Sequence, residues 1–281
     1  MIIKRKIQQT ALALLSIASL AICSQAVSAE ETATRGGMDI VQSKAIPVPV
    51  AGALDVMQQA LDKYNAGDNN GALVAINEVL LRDPFNPQAF FFRGLIRERQ
   101  GDYINAISDF DQNRVAALDA AILGEKGSCQ CHLADFKASL NSYNRALDLR
   151  PGKDAGAQLL ARRASVKRIL HDDNGAVDDC STSLRLMPNN PDGLWQRALT
   201  YIDLKQLDAA VPDLQKLVQQ QPRFANGHYT LAECYMSLGR AKDAQTEYQR
   251  AVDLFAVQHD EQGRKMAMQR LAQIPDASTQ Q

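Results

Sequence analysis

Small side chains recur along this 281-residue chain at a nearly constant interval, and this recurrence restricts the fold more than any other feature. Consecutive members of this first ladder stand 34, 33, 37, 34 and 34 positions apart: Ala60, Gly94, Gly127, Ala164, Ala198 and Ala232. A second ladder follows the first at a fixed offset of twelve positions: Ala72, Ala106, Ser139, Ala176, Ala210 and Ala244. Larger side chains lie four positions later still: Ile76, Phe110, Tyr143, Cys180, Leu214 and Tyr248. Two antiparallel helices approach closely only where side chains are small, so each interval predicts a pair of helices.

Turn residues separate the two ladders, and prolines close four of the six units: Pro84, Pro151, Pro188 and Pro222. A single helix pair cannot bury its apolar faces, so successive pairs must stack. The composition agrees with a packed helical protein, because 46% of the residues are hydrophobic and Gly and Pro number only 16 and 10. These figures exclude disordered and collagen-like chains. A formal net charge of -1 gives no reason to expect nucleic-acid binding.

These residues resemble the tetratricopeptide repeat family. The match is best in the sixth unit, which carries His228, Leu231, Ala232, Tyr235, Gly239, Ala244, Tyr248 and Ala251. The second unit carries Phe90, Gly94, Gly101, Asp102, Tyr103, Ala106 and Phe110. The resemblance extends over roughly residues 53–256. It implies an all-α, right-handed superhelical solenoid of about six helix pairs with a capping helix, and a protein without enzymatic activity.

The ladders divide the chain into repeats at 53–86, 87–119, 120–156, 157–190, 191–224 and 225–258. A capping helix is predicted over 259–274, before a tail at 275–281, because a terminal repeat needs a cover for its last apolar face. The longest interval between ladder positions falls around Pro151–Gly156. We expect a longer loop there, between the third and fourth repeats.

Residues 1–29 have the pattern of a secretory signal peptide. A basic start at Lys4–Lys6 precedes an apolar stretch over Ala11–Ile22 and a small-residue site at Val27–Ala29. Acylation at Cys23 is the alternative, although Ile22 fits a lipoprotein signal poorly. Residues 30–52 are predicted to be a flexible linker. We therefore expect an exported protein, in the periplasm rather than secreted or lipid-anchored, and without a transmembrane segment.

The resemblance also implies that the first helix of each repeat lines a concave groove, where function in such folds is found. The ladder register places ten side chains on that surface: Phe91, Leu95, Arg99, Arg168, Trp195, Leu199, Ile202, Tyr229, Glu233 and Met236. The apolar members favour an apolar or amphipathic segment of a protein partner. Some of them could instead belong to the core. In the first repeat this alternative applies to Met57, Leu61 and Tyr64.

Basic side chains concentrate on two predicted helices, and two interpretations are open. The clusters are Arg93, Arg97 and Arg99 on one helix and Arg162, Arg163, Lys167 and Arg168 on the other. They either form ion pairs on a solvated face or bind an acidic partner, a glycan or peptidoglycan. Aromatic residues do not alternate with the second cluster, which disfavours nucleic acid.

Motifs for catalysis, a cofactor or a metal are missing from the sequence, so none of these is predicted. Cys129, Cys131, Cys180 and Cys234 are expected to be small packing residues rather than disulfides or metal ligands. The leading hypothesis is a non-enzymatic exported adaptor that binds a protein segment. An accessory subunit of an envelope enzyme is an alternative, and self-association stays open.

Overall fold

The computed structural model describes residues 53–113 and 119–274, which form helices joined by short turns. The predicted signal peptide, linker and tail lie outside the described residues, as do residues 114–118. The helices are α1 Ala53–Asn65, α2 Asn69–Arg82, α3 Pro87–Gln100, α4 Tyr103–Gln112, α5 Ala120–His132, α6 Phe136–Asp148, α7 Lys153–Ile169, α8 Asp173–Leu186, α9 Pro191–Asp203, α10 Leu207–Gln220, α11 Ala225–Ser237, α12 Ala241–Val257 and α13 Glu261–Ala272. The predicted all-α class is confirmed, with no strand among these residues.

The chain divides into two compact units, Met1–Cys129 and Gln130–Gln281, and the boundary falls within α5. We call the odd-numbered helices A helices and the even-numbered ones B helices, because each predicted repeat contributes one of each in that order. Within each unit the pairs pack as the ladders predict. Gly94 shows why the first ladder is small: a Cβ atom at this position would lie 2.4 Å from Cε1 of Phe110. That distance is shorter than any carbon–carbon contact a packed interior tolerates.

The turn between the A and B helices uses one backbone conformation in all six repeats. Gly67, Gly101, Ala134, His171, Lys205 and Gly239 all have positive φ, between 59° and 87°. This left-handed residue ends the A helix, a position where glycine is favoured because it has no Cβ atom. In four repeats the next residue is an aspartate whose carboxylate accepts from the backbone N–H three positions on: Asp68, Asp102, Asp135 and Asp172.

The longer loop predicted around Pro151–Gly156 is wrong. Helix α7 begins at Lys153 and runs for 17 residues, against 13 or 14 in the A helices α1, α3, α5, α9 and α11. Gly156 and Ala157 are buried, so the added residues extend the helix at its first turn instead of forming a loop. A helical backbone satisfies its own hydrogen bonds, which makes an extra turn less destabilising than a buried loop.

The last helix lies within the predicted capping range, and its packing extends the first ladder. Ala267 stands about one repeat length after Ala232, is fully buried and packs with Ala225, Ala251 and Phe255. Helix α13 therefore takes the place of a seventh A helix against the sixth repeat.

Partly buried ion pairs join the A and B helices of three repeats. The guanidinium groups of Arg93, Arg163 and Arg197 each bind a carboxylate sixteen positions later, on Asp109, Asp179 and Asp213 respectively. The contacts use two nitrogens and both carboxylate oxygens, with the closest N–O distances between 2.6 and 2.7 Å. The hydrogen bonds to Asp213 raise the pKa of Arg197 above its ordinary value. All three acids have buried side chains, so each depends on its arginine for charge compensation.

Replacing Lys205 with glycine should stabilise unit 2. The backbone at Lys205 has φ 61°, a strained value for a residue with a Cβ atom. We expect Lys205→Gly to raise the free energy of unfolding by about 1 kcal/mol in urea titrations followed by circular dichroism. Lys265→Gly, an exposed position in the interior of helix α13, is the matched control and should lower it by about 1 kcal/mol. A loss of stability in Lys205→Gly would contradict the expected strain.

Removing one half of a buried ion pair should be costly. Arg197→Met leaves the Asp213 carboxylate buried without its guanidinium, so we expect the free energy of unfolding to fall by about 3 kcal/mol. The double variant Arg197→Met/Asp213→Leu should recover most of that loss, because no unpaired charge remains.

The surface pair of Arg82 and Glu78 provides the control, since both side chains are nearly half exposed. Arg82→Met should change the free energy of unfolding by less than about 1 kcal/mol. Equal effects of the two arginine substitutions would show that burial does not determine the energy of these pairs.

Candidate functional site

The surface that the A helices α7, α9, α11 and α13 of unit 2 leave exposed carries two ion pairs, each of which links two neighbouring helices. Arg168 on α7 binds Asp203 on α9 at 2.9 Å, and Arg270 on α13 binds Glu233 on α11 at 3.0 Å. In each pair the two residues are about one repeat length apart in the sequence. We call this surface the A-face. Seven of the ten side chains predicted for the groove belong to these helices: Arg168, Trp195, Leu199, Ile202, Tyr229, Glu233 and Met236.

Four apolar groups of the A-face surround one core cluster. Trp195, Ile202, Tyr229 and Met236 are all partly buried and pack against the interior formed by repeats five and six. Leu199 is also partly buried. Each of these side chains keeps part of its surface accessible. Fixed, partly exposed apolar groups are suited to contact with an apolar ligand, since little side-chain freedom is lost on binding.

Ring contacts fix the orientation of the two aromatic members. The Trp195 indole meets the Phe224 ring edge-on with centroids 5.1 Å apart, and Tyr229 meets Tyr248 in the same way at 5.6 Å. Such geometry places the positive edge of one ring on the negative face of the other. The indole therefore has a defined environment, which makes its fluorescence a probe of this surface.

Glu233, which the sequence placed in the groove, has polar partners within the protein for its carboxylate. It accepts a hydrogen bond from the Tyr248 hydroxyl and pairs with Arg270. Burial raises the pKa of Tyr248 above its ordinary value, and the hydrogen bond to Glu233 raises it further. Glu233 is thus part of the contact that holds α13, with about a third of its side chain exposed.

The unit 1 members of the predicted groove have different environments. Phe91 departs from the prediction: it is 8% exposed and packs on Phe110 at a centroid distance of 6.1 Å, so it belongs mainly to the core. Gly94, one turn later, leaves the room for Phe110 that makes this contact available. Leu95 is partly buried between two core clusters.

Arg99 and the first repeat complete the description of unit 1. The Arg99 guanidinium lies 4.6 Å from the centroid of the Tyr64 ring and donates to the Tyr64 carbonyl oxygen at 2.6 Å. Leu61 is buried, and Met57 and Tyr64 pack against the same core cluster. The first repeat therefore follows the alternative in which these three side chains belong to the core.

The structure assigns internal partners to most of the basic side chains that suggested an anion site. Arg97 shares Asp109 with Arg93, and Lys167 shares Asp179 with Arg163. Together with the contacts of Arg99 and Arg168, these pairs favour the ion-pair interpretation of both basic helices.

The four described cysteines are free thiols, and three are buried. Burial raises the pKa of the Cys180 thiol to about 12 and that of Cys234 to about 11. Thiols held protonated in this way are poor nucleophiles and poor metal ligands. Over residues 53–113 and 119–274, no three His, Cys, Asp or Glu side chains converge as a metal site. No helix in the described part of the chain is both long and apolar enough to span a bilayer.

The arginine–aspartate pairs are a regularity that sequence reasoning missed. In each pair the arginine comes one position before the first-ladder residue of its repeat. The aspartate comes one position before the larger residue that follows the second ladder. The signal in the sequence is therefore a fixed spacing of sixteen positions. Without the fold, such a pair cannot be distinguished from charges on two separate solvated faces.

Comparison with known proteins identifies the repeat. Tetratricopeptide repeat family models match residues 57–113 and 201–262, one in each unit. Protein unc-45 homolog B of Mus musculus is 30% identical over 124 residues, which cover 44% of this chain and only 13% of that protein. The chain therefore spans a small part of this curated relative.

Two solved structures share the fold at low identity. A tetratricopeptide repeat protein from Parabacteroides merdae superposes with a TM-score of 0.59 and 16% identity, covering 80% of this chain and 94% of that one. PilW, a type IV pilus biogenesis factor, gives a TM-score of 0.69 and 18% identity, covering 78% of this chain and 99% of its own. The ladders, the observed helix pairs and the two family matches lead to one conclusion: the chain carries tetratricopeptide repeats over residues 57–113 and 201–262.

Proposed function

We propose that this protein is a non-enzymatic, exported adaptor whose A-face in unit 2 binds an apolar or amphipathic segment of a partner protein. Tetratricopeptide repeat proteins are in general scaffolds for protein interaction. The observation that carries the finer proposal is the grouping of Trp195, Ile202, Tyr229 and Met236 around one core cluster with part of each side chain accessible. An amphipathic helix or extended segment could bury its apolar side chains against this row.

Charge also distinguishes this surface from an anion site. Arg168 and Arg270, whose guanidinium groups lie on the A-face, are already paired with Asp203 and Glu233. A glycan or acidic ligand would have to compete with these internal carboxylates, whereas an apolar segment would not. The partly buried apolar row therefore favours a protein segment.

Tryptophan fluorescence tests the proposed ligand class, because Trp195 is the only tryptophan. Adding an amphipathic helical peptide to the full chain should shift and change its emission as water leaves the indole, and a peptidoglycan fragment should leave it unchanged. Leu199→Ala should weaken peptide binding about tenfold, since it removes roughly 1.5 kcal/mol of apolar burial.

Val257→Ala is the matched control, because Val257 lies at the end of the B helix α12 and is 77% exposed. It should bind the peptide as the wild type does. A response to the glycan fragment alone would support the anion-site interpretation and contradict the proposal.

Export is supported by the sequence pattern of residues 1–29 and has its own test. We expect the chain expressed in a Gram-negative bacterium to appear in the periplasmic fraction with an amino terminus at Glu30, measured by intact-mass spectrometry. Replacing Lys4, Arg5 and Lys6 with glutamate should retain the unprocessed chain in the cytoplasm. An acylated terminus at Cys23 would instead identify a lipoprotein, and an unprocessed wild-type chain would contradict export.

A further inference from the structure

The position directly before the first ladder is basic in four consecutive repeats. Repeats two to five carry Arg93, Lys126, Arg163 and Arg197. Each side chain extends from its A helix to a polar oxygen on the preceding B helix. The partners are Asn77 at 2.9 Å, Asp111 at 2.5 Å, Asn144 at 2.8 Å and Ser181 at 3.2 Å, in the same order. Because Arg93, Arg163 and Arg197 also bind the aspartate on their own B helix, each of these three arginines bridges two neighbouring B helices.

The sixth repeat keeps the acceptors of this arrangement and has no basic residue at the position before the first ladder. Leu231 occupies the basic position and is buried. Glu247 and Gln215 stand one repeat length after Asp213 and Ser181 respectively, so both acceptor positions remain polar. The Gln215 amide donates instead to the Tyr235 hydroxyl at 2.8 Å.

His228, one helical turn before Leu231, makes the contact with the acid of the B helix that an arginine makes in other repeats. Nδ1 of His228 lies 2.5 Å from the Glu247 carboxylate, and its Nε2 lies 3.2 Å from the Pro222 carbonyl oxygen. The corresponding positions in repeats two to five are apolar: Phe90, Leu123, Leu160 and Leu194. Repeat six has thus exchanged its apolar and basic positions, and the short imidazole is held beside the loop that precedes α11.

A cavity of about 670 Å³ lies beside these residues, between α10 and α12, with α11 behind it. Val218, Leu231 and Leu254 supply apolar lining, and Gln215, Gln219, Glu247, Arg250 and Asp253 supply the polar groups. The volume lies in the range of small-ligand sites, which combine apolar walls with a few polar groups. Arg250 is the only guanidinium among the lining residues, and its side chain is 59% exposed and 3.3 Å from Glu247.

We propose that this cavity binds an arginine side chain presented by a partner protein, in place of the guanidinium that the sixth repeat lacks. The lining carries two carboxylates, Glu247 and Asp253, against the single guanidinium of Arg250. An incoming guanidinium replaces the exposed Arg250 side chain beside Glu247, a surface contact of little energy, and a carboxylate is its geometric match. The apolar residues contact the methylene stem, as they do for long cationic side chains elsewhere. This site lies between B helices and does not depend on the A-face proposal.

Two peptides that differ in one charge test the inference on the full chain. Acetyl-Ala-Leu-Arg-Leu-Ala-amide should bind at least tenfold more tightly, by isothermal titration calorimetry, than the same peptide with citrulline, which keeps the shape and loses the charge. Glu247→Gln should reduce affinity for the arginine peptide by at least tenfold. Equal affinity for the two peptides, or no measurable binding of either, would overturn the proposal.

The double variant His228→Leu/Leu231→Arg restores the arrangement of repeats two to five and supplies the guanidinium from within. It should lose arginine-peptide binding while its thermal midpoint stays at or above that of the wild type. Glu247→Gln decides the matter if this variant does not fold. Wild-type affinity in a folded double variant would overturn the proposal.

Discussion

The close approach of the two helices within each repeat is the constraint on which the structure depends. At Gly94 the Phe110 ring lies so near the backbone that even a methyl group would not fit. Ala164, Ala198 and Ala232 occupy the same position in later repeats and are fully buried. Helices at this separation interlock through their large residues, and each pair then offers an apolar face to the next. Stacking follows because no single pair can bury that face alone.

Charge is fitted into this packing in a regular way. An arginine on the A helix neutralises a buried aspartate on the B helix and also reaches the B helix before it, as Arg197 does with Asp213 and Ser181. A buried carboxylate without a partner would destabilise the fold, so acid and base positions depend on each other. The third repeat has no acid at this position, where Ser142 stands, and its Lys126 binds only Asp111 on the preceding B helix among the contacts described. The sixth repeat has the acid Glu247 but Leu231 at the basic position, and a cavity lies beside them.

Both proposed binding surfaces lie where the repeat pattern leaves groups incompletely buried. On the A-face, Trp195, Ile202, Tyr229 and Met236 anchor in the core while part of each side chain remains accessible. Between α10 and α12, Glu247 and Gln215 retain the polar positions of earlier repeats, without a basic residue at position 231. The first surface presents a row of apolar side chains, whereas the second combines apolar walls with carboxylates, so they are suited to different parts of a partner.

The sequence by itself determined the repeat length, the helix-turn-helix unit and the positions of the small residues. Two helices that pack at a short distance accept only small side chains at their contact, and every repeat has the same contact. It also located the turn residues, such as Gly101 and His171, from their place between the ladders. Only the tertiary structure decided whether an apolar side chain beside the ladders packs in the core or remains accessible at the surface. Phe91 belongs to the core although its register placed it in a groove, and the residues near Pro151 extend a helix although they suggested a loop. The pairing of Arg93 with Asp109, and its absence at Leu231, depends on how far a side chain reaches between helices. The sequence period indicates which positions face a neighbouring helix. How far a side chain extends, how deeply it is buried and where a cavity remains depend on how the helices pack together.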